Sequence, residues 1–404
     1  MLMSSKFRRR LFLIIANSIN GLFIPLLNPI VSYLVIRLAS VEVWGEFVAV
    51  LIVVQLGTHI VGWGNKDYLL REFSFNPARI AINWQTALLT RSLLLIAGAP
   101  LVLLAFPMQR ALWVLVWSFA IVLDQAFDVL IQYRKDFAFS TLIELVGVGF
   151  LAAAILLIGA RIDLDRLIVL SGAVNLLKAG LYGLRYRRHI LARIDRLSER
   201  IDRRYFSLAW PFFLLGLTGL LQSRIDLYAV SAFSSKADVG QYQVFMTFIL
   251  YLQSIANFVL GPFVKNIYRL RYRSILSIAA KLFGLGVLIV LPGLVIVQVV
   301  LRDHYRIDLP IAFMIAGGLM AWPIYFYLPA IYALYKAGLQ TVVVKINVLG
   351  IAVSFVFSLM LLPRLGLIGA VIGAAIAQWI MFAVYLLQSR VLREDHALVV
   401  PELS

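Results

Sequence analysis

Nine charged side chains fall inside stretches that are otherwise apolar: Arg91, Asp124, Asp128, Glu144, Lys178, Arg224, Asp226, Lys281 and Lys345. A charge near the middle of a bilayer costs roughly 2.5 to 3.5 kcal/mol, so each must be paired, hydrated or placed to meet an ion. Arg224 is the most demanding, because it lies about eight residues, roughly 12 Å, inside the nearer end of its segment. A guanidinium there needs an acid from another helix, a wet cavity or a phosphate. Asp226 is only two residues away and so points to a different side of a helix. Asp124 and Asp128 are four apart and share a face, where neither stays ionised unless paired or hydrated. Two alternatives stand for them: structural pairing with Arg134 or Lys178, or a relay for protons or sodium. Asp226 and Asp124 are the deepest acids and the candidates to take up a coupling ion. Arg91, Lys178, Lys281 and Lys345 lie within about two turns of a segment boundary, from which long side chains snorkel.

The elements that position these groups are long apolar runs. We place them at 11–36, 47–64, 85–106, 112–132, 139–159, 167–184, 207–232, 240–264, 275–301, 309–333, 341–362 and 366–388. Runs such as LFGLGVLIVLPGLVIVQVVL are apolar on every side, which excludes the alternating strands of a membrane barrel and leaves helices. The expected fold is an all-α polytopic membrane protein of about twelve transmembrane helices in two six-helix bundles. With no cysteine, disulfides, thiolate metal sites and thiol nucleophiles are excluded. His59, His189, His304 and His396 are scattered without the spacing of a metal site, and no cofactor is indicated. No loop is long enough for a catalytic domain, so an enzyme is not expected.

The formal charge of +17 suggests nucleic acid until the basic residues are placed on a topology. Twenty-four lysines and arginines lie in the N-terminus, the C-terminal tail and the loops on the same side, against eight in the other loops. The bias predicts that both termini and the central loop face the cytoplasm, and it accounts for the charge without nucleic acid. The centre of the pattern is Arg185 to Arg204, RYRRHILARIDRLSERIDRR, with eight arginines. Ile190, Ile194, Leu197 and Ile201 space it as a basic amphipathic surface helix. The implied organisation is a bundle at 1–184, a basic linker at 185–206, a second bundle at 207–390 and a tail at 391–404.

The two halves echo each other. A shift of 195 sets LASVEVWGEF, residues 38–47, over FSSKADVGQY, residues 233–242, so that Gly45 falls on Gly240 and Phe47 on Tyr242. Both halves begin on the same side, which makes the repeat parallel, a plan found in transporters. Segment one carries Asn17, Asn20, Gly21, Pro25, Asn28 and Pro29, and segment seven carries Pro211, Gly216 and Gly219. Interrupted helices at matching places point to a binding site at the repeat interface, or serve only to shape packing.

The opening NSINGLFIPLLNPIVSYLVIRLASVEVWGEFVAVL resembles the polysaccharide flippases of the multidrug, oligosaccharidyl-lipid and polysaccharide exporter superfamily, the O-antigen (Wzx-type) branch. Leu365 to Gly373, LGLIGAVIG, is similar to that family's glycine-rich start of the last helix, as is Gly261 to Lys265 at the end of segment eight. The resemblance implies a MATE-like V of two six-helix bundles in a bacterial inner membrane, alternating access, and a cationic cavity for a polyprenyl-diphosphate-linked glycan. Its implied partners are that glycan lipid, membrane lipids and other polysaccharide assembly proteins. Arg224, Arg37, Arg91, Lys66 and Lys265 are the basic candidates for the diphosphate; Asn20, Asn28 and Gln222 are the candidates for sugars. A cation-coupled multidrug or small-molecule exporter of the same fold is the alternative. The chain is too short for the fourteen-helix flippases of peptidoglycan precursor, and segment one lacks the aspartate of some proton-coupled drug exporters.

Overall fold

A computed structural model of the chain describes residues 29–190, 203–260, 267 and 270–398. Within them, eleven helices are long and apolar enough to cross a membrane, and the short apolar helix α1 (Pro29–Leu38) carries the end of the first expected segment. The protein is an all-helical, multi-pass membrane protein. Its spans turn large apolar side chains outward, as on α7 (Phe137–Ile158), where Leu142, Phe150, Leu156 and Leu157 are exposed. A face of that kind is stable only against hydrocarbon.

The chain divides into two compact units, Met1–Leu217 and Thr218–Ser404. The first holds α1, α2 (Val41–Gly62), α3 (Asn65–Phe75), α4 (Ile80–Ala105), α5 (Met108–Ala126), α6 (Asp128–Arg134), α7, α8 (Leu164–Arg185) and the single turn α9 (Arg187–Ile190). The division falls inside α10 (Arg203–Phe233), whose first turns pack in the first unit. Trp63 and Gly64, both left-handed at φ 46° and 67°, end α2. The Trp63 ring stacks on Phe213 at 4.4 Å, and its Nε1 donates to the Phe206 carbonyl at 3.1 Å. A Cβ on Gly64 would strike the backbone of Phe213, Phe212 and Ala209, so only glycine allows this approach.

α3 occupies an interval that the hydropathy assigns to a loop. Its register explains the difference: Leu69 and Phe73, four apart, are buried in a cluster with Trp84, Phe127, Leu130, Tyr182 and Tyr186, while its other face is polar. An amphipathic helix of 11 residues has no apolar run for a membrane-length window to detect.

The second unit continues through α11 (Lys236–Leu260), α12 (Tyr272–Val299), α13 (Ile311–Ala321), α14 (Ile324–Lys336), α15 (Gln340–Leu365) and α16 (Leu367–Leu398). Its core stacks Phe283 on Trp322 at 4.5 Å and Tyr327 on Tyr385 at 5.2 Å. The glycines LGLIGAVIG contribute a flat face. Gly366 takes φ 63° at the end of α15, and a Cβ on Gly369 or Gly373 would meet the backbone around Leu361 or Ser358. Small residues four apart let α16 lie directly on α15.

The proposed repeat has a local counterpart in the capping. Ser40 precedes α2 and its hydroxyl accepts from the Val43 N–H at 3.2 Å. Ser235 precedes α11 and accepts from the Asp238 N–H at 3.1 Å, while Asp238 Oδ2 takes the Ser235 N–H at 3.3 Å. These serines are 195 residues apart, the shift read from the sequence. Each replaces a missing intrahelical partner and fixes where its span begins.

Candidate functional site

In the first unit, three spans bring charges to one place. Lys178 on α8 lies 2.9 Å from Asp124 on α5 and 2.8 Å from Glu144 on α7, and the three side chains are only 11%, 14% and 18% exposed. Lys178 therefore does not snorkel; burial with two carboxylates holds its ammonium in place. Gly147 makes this possible, since a Cβ there would approach Lys178 Cδ to 2.9 Å. Asp124 and Asp128 do not act on a common face, because the helix ends at Ala126 and restarts at Asp128. Asp128 instead faces Lys66 at 3.5 Å, with both side chains partly exposed. The buried triad of two acids and one base has a formal charge of one surplus negative, and Asp124 Oδ1 is buried without a hydrogen-bond partner among the described residues. One added proton balances such a cluster.

Arg91 on α4 is 5% exposed, so it too is enclosed by protein instead of reaching a lipid headgroup. Arg37 on α1 lies over the Tyr33 ring at 5.7 Å, a cation–π contact. Asn20, Asn28 and Lys265 lie outside the described residues.

The second unit holds the other group on α10. Asp226 is 2% exposed and accepts a hydrogen bond from the Tyr242 hydroxyl on α11 at 2.5 Å. Arg224 forms no ion pair with it: two residues of helical rotation separate them, and among the described residues no acid or carbonyl bonds the guanidinium. Its electrostatic neighbours besides Asp226 are Tyr228, one turn along α10, and Tyr251 on α11. Gln222 donates weakly to Met381 Sδ at 3.6 Å, and Met381 in turn fills the space beside Gly350. Lys281 and Lys345 are exposed, in keeping with snorkelling. The second unit thus offers a half-buried cation within electrostatic reach of two phenols, near in sequence to an acid that accepts from a third phenol.

Tyr242, Tyr228 and Tyr251 escaped sequence reasoning. A tyrosine in an apolar span reads as core, and two of these contacts cross between helices. The spacing of Arg224 and Tyr228, four residues, was the available signal.

No family profile and no curated protein sequence matches the chain. Solved structures do. The chain is similar to the lipid II flippase MurJ in its inward closed conformation, with a TM-score of 0.70, 15% identity, and coverage of 92% of this chain and 86% of that one. It is also similar to a multidrug resistance MATE family transporter of the MOP superfamily, inward-facing, at TM-score 0.58 and 14% identity over 95% of this chain and 100% of that chain. The outward-facing form of a MATE transporter gives 0.57 and 14%, covering 96% of each. At these identities the likeness shows a shared fold: the chain has the MATE-like architecture that the resemblance of its motifs implies.

Proposed function

We propose that the protein is a flippase of the bacterial inner membrane that moves a polyprenyl-diphosphate-linked oligosaccharide, such as an O-antigen repeat unit, outward by alternating access. The observation that carries this reading is Arg224, a guanidinium within the candidate span Phe206–Phe233, bonded to no protein acid among the described residues and electrostatically coupled to Tyr228 and Tyr251. A diphosphate cannot cross hydrocarbon unpaired, and a guanidinium with donors to spare supplies bidentate hydrogen bonds to it. Tyrosines beside it suit the first sugar, stacking on its apolar face and bonding its hydroxyls. A fold shared with a lipid II flippase supports a lipid-linked substrate.

In this reading the polyprenyl chain stays in the bilayer while the two halves alternate, the opening turns of α10 moving with the first unit. Arg37, Arg91, Lys66 and Lys265 pass the anion along, and Asn20, Asn28 and Gln222 meet the sugars. Asp124 and Asp226 differ in role: the Asp124 triad has the surplus charge and the orphan oxygen that uptake of a coupling ion needs, whereas Asp226 is already bonded. Both termini and the basic linker face the cytoplasm, where polysaccharide assembly proteins would meet the chain.

A second reading, a multidrug exporter, draws on the MATE neighbours. The two separate in liposomes containing a polyprenyl-diphosphate oligosaccharide, scored by exposure of the glycan on the opposite face. Translocation by the native chain, lost in Arg224→Ala and largely kept in Arg224→Lys, supports the flippase. Efflux of a cationic dye without glycan movement supports the exporter.

A further inference from the structure

At the end of α8 the first unit carries a second basic site, apart from the groups assigned above. Arg134, Arg185, Arg187, Arg188 and His189, with Leu184, line a cup of about 410 Å³. It is built from several elements. Gln85 on α4 donates to the His189 carbonyl at 3.1 Å, and Arg134 on α6 reaches His189 Nε2 at 2.7 Å. The Tyr186 hydroxyl donates to Asp136 at 3.0 Å beside the Arg185–Asp136 pair at 3.9 Å. Asp136 offsets one of the four arginines. Arg187 and Arg188 are exposed and, among the described residues, form no ion pair or hydrogen bond.

Two observations define the ligand. The cup sits where the apolar span Leu164–Arg185 ends, and a helix of membrane-spanning length brings its ends to the polar headgroup region. Below it α8 turns an apolar stripe outward, with Val169, Leu176, Leu177 and Leu184 all exposed at spacings of seven or eight residues, one face of the helix. Leu184 belongs both to the stripe and to the cup wall. A cationic bowl continuous with an apolar track matches an amphiphile with a phosphate head and an acyl chain.

We propose that this cup binds the phosphate of a single anionic glycerophospholipid, whose acyl chain lies along the α8 stripe. The site is independent of the proposed substrate and of Arg224. A bound lipid anchors the start of the basic interval that follows α8 to one leaflet.

The test uses the full chain purified in mild detergent and native mass spectrometry with phosphatidylglycerol or phosphatidylcholine. The native chain is expected to retain phosphatidylglycerol selectively. Arg187→Gln/Arg188→Gln should bind it about 30-fold more weakly, at roughly fivefold per arginine near a membrane surface. Arg187→Lys/Arg188→Lys should keep most of the binding, and Arg302→Gln/Arg364→Gln, an equal charge loss elsewhere, should change nothing. Equal retention of phosphatidylcholine, or undiminished phosphatidylglycerol on the Gln pair, would overturn the proposal. Displacement of the lipid by millimolar inorganic phosphate would overturn it too, by assigning the cup to the free anion. Should the Gln pair fail to fold, the Lys pair and the phosphate competition decide alone.

Discussion

Replacing Lys178 by methionine keeps the length of the side chain and removes its charge. In the native protein Lys178 is shared by Asp124 and Glu144 at 2.9 and 2.8 Å, all three largely out of contact with the surroundings. Without it two carboxylates face one another in a medium that solvates neither, and among the described residues Asp124 has no bonded partner on Oδ1 to fall back on. Breaking a buried pair in this way costs about 3 to 5 kcal/mol, mostly from the charge left behind. The cost should therefore vanish when the abandoned charges go too. Lys178→Met/Asp124→Asn/Glu144→Gln is expected to recover to within about 1 kcal/mol of the native chain, since neutral groups of the same shape replace an ion cluster at little net expense. Thermal unfolding in detergent, followed by tryptophan fluorescence, ranks the three proteins. The reasoning fails if the single variant is as stable as the native chain, or if the triple variant is no better than the single one. The first outcome would mean that the triad is hydrated; the second, that lysine packing and not charge supplies the stability.

Three further outcomes follow from contacts described above. Tyr242→Phe removes the donor from a buried carboxyl group and should cost about 1 to 3 kcal/mol, while Asp226→Asn, whose amide oxygen still accepts that bond, should cost less; paired unfolding curves measure both. Gly64→Ala combines a left-handed backbone with a collision against the α10 backbone, so it should destabilise by more than the ~1 kcal/mol of an ordinary left-handed glycine, seen as a fall in yield and melting temperature of the purified chain. His189 accepts from the Arg134 guanidinium, which can only donate, so the imidazole is neutral; partial burial and that neighbouring charge lower its pKa below 6.5. The folded state then binds fewer protons than the unfolded one in the window just below pH 6.5, so this contribution is complete above pH 6.5 and lost as pH falls. The drop in melting temperature between pH 7.5 and 5 should be smaller in His189→Gln; an unchanged drop would show that another group titrates.

The parts of the fold that were legible from the sequence were those governed by length. Apolar runs of about 20 residues can satisfy their backbone only as helices, so the spans from α2 to α16 appear near their expected places. The shift of 195 that matched Gly45 with Gly240 also sets Ser40 over Ser235, but that both serines cap their helices shows only in the hydrogen bonds. What was hidden depends on contacts between helices. Pairing of Asp124 with Lys178 stood among the alternatives read from the sequence and is what the structure shows, but nothing local to Lys178 chose it over snorkelling, because hydropathy carries no information about which faces meet. Asp124 and Asp128 illustrate the same limit: their spacing assumed an unbroken helix, and the restart after Phe127 sends them to different lysines. Tyr242 was aligned with Phe47 as a helix opener, and its hydroxyl acquires a role only through Asp226 on the preceding span.

The clasp of Trp63 on Phe213 bears on how the chain is made. The first six spans emerge from the ribosome before α10 exists, so the end of α2 waits with the Trp63 indole unstacked and its N–H without the Phe206 carbonyl. That aromatic patch stays open through the synthesis of four later spans and the arginine-rich interval. A fragment stopped at residue 184 would carry every span of the first half and still expose this patch. One that continues past Phe213 would close it. The smallest self-sufficient N-terminal fragment is therefore longer than the repeat, and the nascent chain completes its first unit only with the opening turns of α10, the helix that starts the second repeat.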